Sequence, residues 1–281
     1  IKMGEPAFKN RDLFKKYGVH IFSTNFTLYG DFSNRVMSIL SNNVPSIEIY
    51  SIDEAFMDFK GIPNKEKFAL TLREKILQWT GIPISIGVAP TKTLSKVANA
   101  IAKKQRKNGV CTLTEKHETL EYLKSFSVSS LWGVGRQFSR MLENNHIHNA
   151  YQLIHKSDRW IQKKMSVVGL KMVKELRGEP CFHMVNEWSQ KKSIMTSRTF
   201  GHEINNFKRL AQALSTYASM CATKLRKEKS CAKSIHIMIS TNPFKQNYQM
   251  NYKGYKTIKL HTPTNEGLEI VSRSIDALRS I

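Results

Sequence analysis

The sequence predicts an α+β protein of more than one domain. Three observations carry that prediction. Residues 1 to about 114 mix apolar strand-like runs with amphipathic helices. From about 115 to 178 the pattern is wholly helical, and from 193 a β-α-β-β-α order returns. The length of 281 residues fits roughly two domains, or three small ones. A hydrophobic content of 41% is ordinary for a folded chain and argues against disorder.

In order along the chain, "KNRDLFKKY" (9–17) reads as a short basic helix and "VHIFS" (19–23) as a strand. In 25–43, Phe26, Tyr29, Phe32, Val36, Ile39 and Leu40 recur at helical spacing. "SIEIYS" and "EAFMDF" read as two strands meeting at Asp53 and Glu54. Residues 64–80 make an amphipathic helix, and "IPISIGVA" (82–89) an apolar strand rich in β-branched residues. Residues 91–109 form a helix with a basic end that Gly109 stops, and "VCTL" follows as a short strand. Residues 181–192 lose their period and read as a linker. The last part predicts a strand at "SIMTSRTFG", a helix over 206–229, strands at 233–241 and 255–264, and a helix over 267–281.

The charge narrows the function. Lys and Arg total 44 against 22 Asp and Glu, a formal net charge of +22. Such an excess implies a polyanionic partner, either nucleic acid or an acidic membrane surface. No apolar run reaches the roughly 18 residues of a membrane span, and the start lacks the apolar region of a signal peptide. The chain does not open with Met, so it is expected to start inside a longer reading frame. Cys111, Cys181, Cys221 and Cys231 have neither zinc nor redox spacing and read as reduced thiols of a cytosolic protein.

Three constellations bear chemistry. Asp53 and Glu54 sit between apolar flanks, and on a straight strand they would point to opposite faces. At a hairpin bend both can converge on one cation, and Mg²⁺ takes one or two carboxylates together with substrate phosphates. The other reading is a solvated turn. Next, Lys92, Lys96, Lys103, Lys104, Arg106 and Lys107 crowd one helix, with Lys92, Lys96 and Lys103 roughly on one face. This is either a solvated basic face or one that waits for a counter-charge from a triphosphate or a DNA phosphate. Third, "LWGVGRQFSRML" places Gly133 and Gly135 between two short helices, with Arg136 and Arg140 following. A turn of this form exposes backbone N–H groups to a phosphate, as a helix-hairpin-helix does; the alternative is an ordinary helical turn. The basic residues of the last part, among them Arg198, Lys253, Lys256 and Lys259, suit a sheet laid along a phosphate backbone.

"YSIDEAFMDF", "SIGVAPTKTLSKVANAIAKK" and "LWGVGRQFSRML", in this order, resemble the Y-family translesion DNA polymerases. "PTKTLSK", "ELRGEPC", "TSRTFG" and "LHTPT" resemble the bacterial UmuC type, the catalytic subunit of DNA polymerase V. The resemblance covers essentially the whole chain. It implies a right-hand polymerase with partial fingers (1–43), palm (44–114), a helical thumb with a helix-hairpin-helix (115–180), a linker (181–192) and an α/β little finger (193–281). It implies error-prone copying past damaged bases in the SOS response. Asp53 and Glu54 would hold Mg²⁺ in a two-metal site, and Lys103 would contact the triphosphate of the incoming dNTP. Gly133, Gly135, Arg136, Lys92, Lys96 and Arg198 would contact DNA. Primer-template DNA, a processed UmuD-like dimer, a RecA filament and a sliding clamp are the implied partners, in the bacterial cytoplasm with the nucleoid and without a membrane.

The family's first metal-binding aspartate, its ribonucleotide-excluding aromatic residue and the fingers residues near the nascent pair lie upstream of anything in this sequence. The end of the little finger and a clamp-binding tail are also not found in it. The chain is therefore expected to be an internal fragment that catalyses poorly by itself. The alternatives are a DNA-binding relative without catalysis, and another two-metal enzyme such as a nucleotidyl cyclase.

Overall fold

A computed structural model of the chain describes residues 1, 4–105, 108–185, 191–241 and 252–281. Arg106 and Lys107, expected in the basic helix, lie outside the described residues, as do 186–190 of the expected linker. Ile1–Glu187 form one compact unit and Trp188–Ile281 a second.

The first unit opens with α1 (Arg11–Tyr17), which ends at Gly18 with φ 60°. The strand expected at 19–23 is not formed. Ile21 and Phe22 are 66% and 86% exposed, and among the described residues no ladder partner reaches them. An apolar run with β-branched residues makes a strand only where a neighbour satisfies its backbone. α2 (Phe26–Ser41) is N-capped by Asn25, whose side chain accepts from the Leu28 N–H. It buries Val36, Met37, Ile39 and Leu40, while Phe26 and Tyr29 of its first turns stay exposed. β1 (Ile47–Ile49) and β2 (Ala55–Met57) pair antiparallel. α3 (Lys65–Thr80) runs between an Asn64 cap and Gly81, and buries Ala69, Leu72 and Ile76.

β3 (Ile86–Val88), α4 (Lys92–Gln105) and β4 (Val110–Thr112) make a parallel βαβ unit, with Ile86 opposite Val110 and Val88 opposite Thr112. Gly87 is required there. A Cβ at this position would lie 2.1 Å from the Asn99 backbone nitrogen and 2.4 Å from the Ser95 carbonyl oxygen. Only a glycine lets β3 lie this close on α4. Val36, Leu40, Leu72, Ile76, Ile86 and Val110 form the core beneath these strands.

The helical stretch is as expected: α5 (Lys116–Ser125), α6 (Arg136–Asn144), α7 (Ala150–Ile154) and α8 (Asp158–Leu176). α7 begins with a capping box between Asn149 and Gln152. α8 is interrupted at Ser166 (φ 65°, ψ −176°), so it is two helical segments in one line of sequence. The opposite face of α4 (Leu94, Val97, Ile101) packs into the core of these helices with Leu123, Leu153 and Ile161. α4 thus joins the strands to the helices.

The second unit contains α9 (Phe207–Lys227), β5 (Ala232–Ser240), β6 (Lys253–Thr264) and α10 (Gly267–Arg279). β5 and β6 pair antiparallel, with His236 opposite Thr257 and Met238 opposite Tyr255. The strand expected at 193–201 is not in this sheet. It is held by α9 side chains instead: Lys224 Nζ donates to Met195 O at 3.1 Å, and Cys221 Sγ to Thr196 Oγ1 at 3.2 Å. The first of these satisfies a backbone carbonyl that a ladder could have satisfied. Ala218, Ala222, Leu225 and Ile270 form the core between the two helices. Among the described residues no helix is long and apolar enough to cross a membrane.

Glu266 caps α10 by accepting from the N–H groups of Glu269 (2.5 Å) and Leu268 (3.0 Å). These bonds, that of Glu269 first, hold its carboxyl below the ordinary glutamate value. A lowered folded-state pKa gives stability that is present above the unfolded value and is lost as pH falls through the folded one. Glu266→Ala therefore lowers the thermal midpoint of the second unit at pH 7. The difference from the unchanged protein closes as pH drops below about 4.3, which circular dichroism melts across a pH series will read.

Candidate active site

The acidic pair sits at a reversal of the chain. Tyr50 N–H and Ser51 N–H both donate to Glu54 O, at 2.9 and 3.0 Å, and Ser51 Oγ donates to Asp53 Oδ1 at 2.6 Å. The chain therefore turns between β1 and β2, and Asp53 and Glu54 escape the opposite-face rule of a straight strand. Both line one cleft of about 420 Å³, whose other walls include β3, Lys92, Lys96 and Glu175. Asp53 is exposed, while the Glu54 side chain is 40% exposed.

The counter-charge expected beside Lys92 and Lys96 is present, and it comes from the chain itself. Lys92 Nζ lies 2.5 Å from Glu48 Oε2 and donates to His183 O at 2.8 Å. Lys96 Nζ lies 2.7 Å from Glu54 Oε1. The Lys96 ammonium also stands over the rings of Tyr50 (4.8 Å), Phe56 (5.6 Å) and Trp132 (5.9 Å). Trp132 Nε1–H donates to Tyr50 Oη at 3.0 Å, and its ring lies 5.7 Å from Phe182. The residue before the Gly-x-Gly turn is thereby packed against the acidic hairpin.

Gly133 takes φ 87°, and Gly135 is the N-cap of α6 without a side-chain cap bond. Gly133, Gly135, Arg136 and Arg140 are all exposed. Lys103 is exposed in the last turn of α4 and does not line the cleft. Arg198 is exposed in the second unit and donates to Ser197 O. In that unit the β5–β6 register puts Lys253, Tyr255, Thr257 and Lys259 on one face. Lys256 pairs with Ile237 on the other.

Asp53 and Glu54 are hard oxygen donors on one cleft, the donor type Mg²⁺ takes. Among the described residues no three His, Cys, Asp or Glu side chains converge tightly enough to hold a metal ion alone. The pair fits Mg²⁺ as part of a coordination shell that further oxygens complete.

Four residues of this site were not singled out by the sequence. Glu48 and Trp132 had a signal: an acid one strand from the pair, and an aromatic beside the turn. Glu175 and Asn99 lie within "ELRGEPC" and "SIGVAPTKTLSKVANAIAKK", but nothing local marks either for the site, because only the fold brings each to the cleft.

Residues 1–100 match the model of the impB/mucB/samB family, and residues 191–281 match that family's C-terminal domain. Protein UmuC of Salmonella typhimurium is 37% identical over 286 residues, which covers 100% of this chain and 68% of that protein. Protein MucB of Escherichia coli is 33% identical, covering 96% of this chain and 65% of its own length. DNA polymerase IV of Treponema denticola is 26% identical over 77% of the chain. Among solved structures, a Y-family DNA polymerase chimera of Dbh and Dpo4 superposes with a TM-score of 0.75 at 20% identity, covering 100% of this chain and 78% of that one. Similarity to UmuC at this level over the full chain means that it belongs to the impB/mucB/samB family, the UmuC-type branch of the Y-family translesion DNA polymerases.

Proposed function

We propose that the chain carries the carboxylate-bearing and DNA-holding parts of a translesion DNA polymerase. The reaction is template-directed transfer of a nucleotide: the primer 3′-hydroxyl attacks the α-phosphate of a dNTP, and pyrophosphate leaves. The observation that carries this reading is the hairpin turn that presents Asp53 and Glu54 to one cleft beside α4. When bound there, Mg²⁺ supplies charge neutralisation to the attacking and leaving oxygens. Asp53 and Glu54 would hold it. Lys96 fixes one oxygen of Glu54, and Ser51 orients Asp53. Lys103, exposed on the same helix, is the candidate for the triphosphate of the dNTP.

The cleft also supports a place for the family's first metal-binding aspartate. β2 and β3 both border it, and each is laddered on one side only among the described residues. Asn99 lines it, and its Oδ1 is buried without a hydrogen-bond partner there. A further strand running between these edges would satisfy both ladders, and an N–H from it would satisfy Asn99. We assign residues 1–43, 44–114, 115–180 and 193–281 to fingers, palm, thumb and little finger. The Gly133–Gly135 turn with Arg136 grips the DNA backbone, and Arg198 with the Lys253 and Lys259 face adds to that grip. A processed UmuD-like dimer, a RecA filament and a sliding clamp are the partners in this reading.

Three measurements test it. Primer extension across an abasic template, by the chain within its natural reading frame and with UmuD-like and RecA-like partners, proceeds with Mg²⁺; Asp53→Ala abolishes it and leaves DNA affinity intact. Extension that survives Asp53→Ala removes the pair from the site. Duplex affinity falls steeply with salt, and Arg136→Ala reduces the slope of log K against log salt by about one; a salt-independent affinity removes the phosphate grip. Lys103→Ala raises the KM for dNTP more than it weakens DNA binding; an unchanged dNTP dependence clears Lys103 of that role.

A further inference from the structure

Glu175 is the first residue of the "ELRGEPC" string and is fully buried. Its neighbours in α8 (Met172, Val173, Leu176) belong to the core. A carboxylate in such a place is costly unless its oxygens are satisfied. Here Oε2 accepts from the Thr93 N–H (2.8 Å) and the Thr93 hydroxyl (2.9 Å). Oε1 accepts from the N–H groups of Cys181 (3.0 Å) and Phe182 (2.9 Å). The Glu175 carbonyl oxygen accepts from the Thr91 hydroxyl at 2.9 Å.

Thr91 and Thr93 flank Lys92, the first residue of α4. An α8 carboxylate therefore caps α4 from outside that helix, where the first N–H groups lack partners and the dipole favours negative charge. Its other oxygen fixes the start of 181–185. That segment then returns to the hairpin: the His183 carbonyl accepts from Lys92, the Val185 N–H donates to Glu48 Oε2 at 2.7 Å, and Phe182 packs on Trp132. Pro180, Phe182 and Met184 line the cleft with Glu175 itself. One buried carboxylate thus sets both the helix that carries Lys92 and Lys96 and the wall that faces them.

We propose that Glu175 is a positioning residue for nucleotidyl transfer. It acts through α4 and the 181–185 segment, by holding Lys96 on Glu54 and Trp132 on the hairpin. This rests on the polymerase reading above. A shift of about 1 Å in groups that hold reactants can cost about 10²-fold in rate. Glu175→Gln keeps the shape but turns an amide N–H₂ toward backbone donors.

The test is made in the full-length polymerase with its partners. Glu175→Gln is compared with Leu123→Ala, a core truncation in the same unit, at a temperature where both are folded. Glu175→Gln is expected to lower kcat/KM for dNTP incorporation at least tenfold. It also shifts the Trp132 emission to the red, read as the difference between each protein and its Trp132→Phe counterpart. Leu123→Ala lowers the thermal midpoint and moves neither. Thr93→Val, which removes one donor and keeps the backbone bond, gives a smaller change in the same direction and serves if Glu175→Gln fails to fold. A Glu175→Gln or Thr93→Val protein that loses thermal stability with unchanged kcat/KM and emission overturns the proposal. If the unmutated protein extends no primer, the polymerase reading falls and the catalytic role of Glu175 with it. The emission shift then still reports whether Glu175 sets the position of Trp132.

Discussion

Lys92 and Lys96 stand one helical turn apart, and like charges at that spacing repel. Each is opposed by a carboxylate of the acidic hairpin, Glu48 at 2.5 Å and Glu54 at 2.7 Å. The two pairs fix the hairpin to α4 at two points, on either side of the chain reversal. The Lys92–Glu48 pair is mostly buried, at 10% and 15% side-chain exposure. Breaking such a pair leaves one charge without compensation, which is far costlier than the modest net worth of the pair. Gly87 allows β3 to reach α4, and the Glu175 carboxylate holds the first turn of α4 in place. Both arrangements serve the register of those two contacts.

The same pairing separates the roles of two adjacent acids. Glu54 gives one oxygen to Lys96 beneath three aromatic rings and is thereby oriented. Asp53 is exposed and is oriented by the Ser51 hydroxyl within its own turn. One carboxylate is set by tertiary contacts and the other by local ones. A turn melted by substitution at Ser51 would disorder Asp53 first, whereas loss of Lys96 would release Glu54 first.

Much of this was legible because it is local. Helix periods and the reversal at Asp53–Glu54 depend on residues within a few positions of each other. The strands expected at 19–23 and 193–201 depended on partners that sequence cannot supply, and neither formed a ladder. The site followed the same division. The acidic pair and the Gly133–Gly135 turn were readable as motifs. Glu175 was not, since a glutamate in a helix reads as a surface residue until Thr93 and Phe182, 82 and 7 positions away, are seen to donate to it.

Net charge was the least informative guide to individual residues. A surplus of +22 draws the eye to every lysine, yet Lys92 and Lys96 are engaged by carboxylates and add little free positive potential to the cleft. Arg136 at the start of α6 and Lys103 at the end of α4 are exposed instead, and in the proposed reading the attraction for a polyanion falls to such groups. This partition has a chemical use. A cleft of uncompensated lysines would bind any phosphate, whereas in the proposed reading one whose lysines are already matched leaves Asp53 and the second oxygen of Glu54 for a hard cation. In that reading, recruitment of the nucleic acid and assembly of the reacting groups rest on different residues. Salt, which screens the first, acts weakly on the second, because partly buried pairs are screened much less than exposed ones.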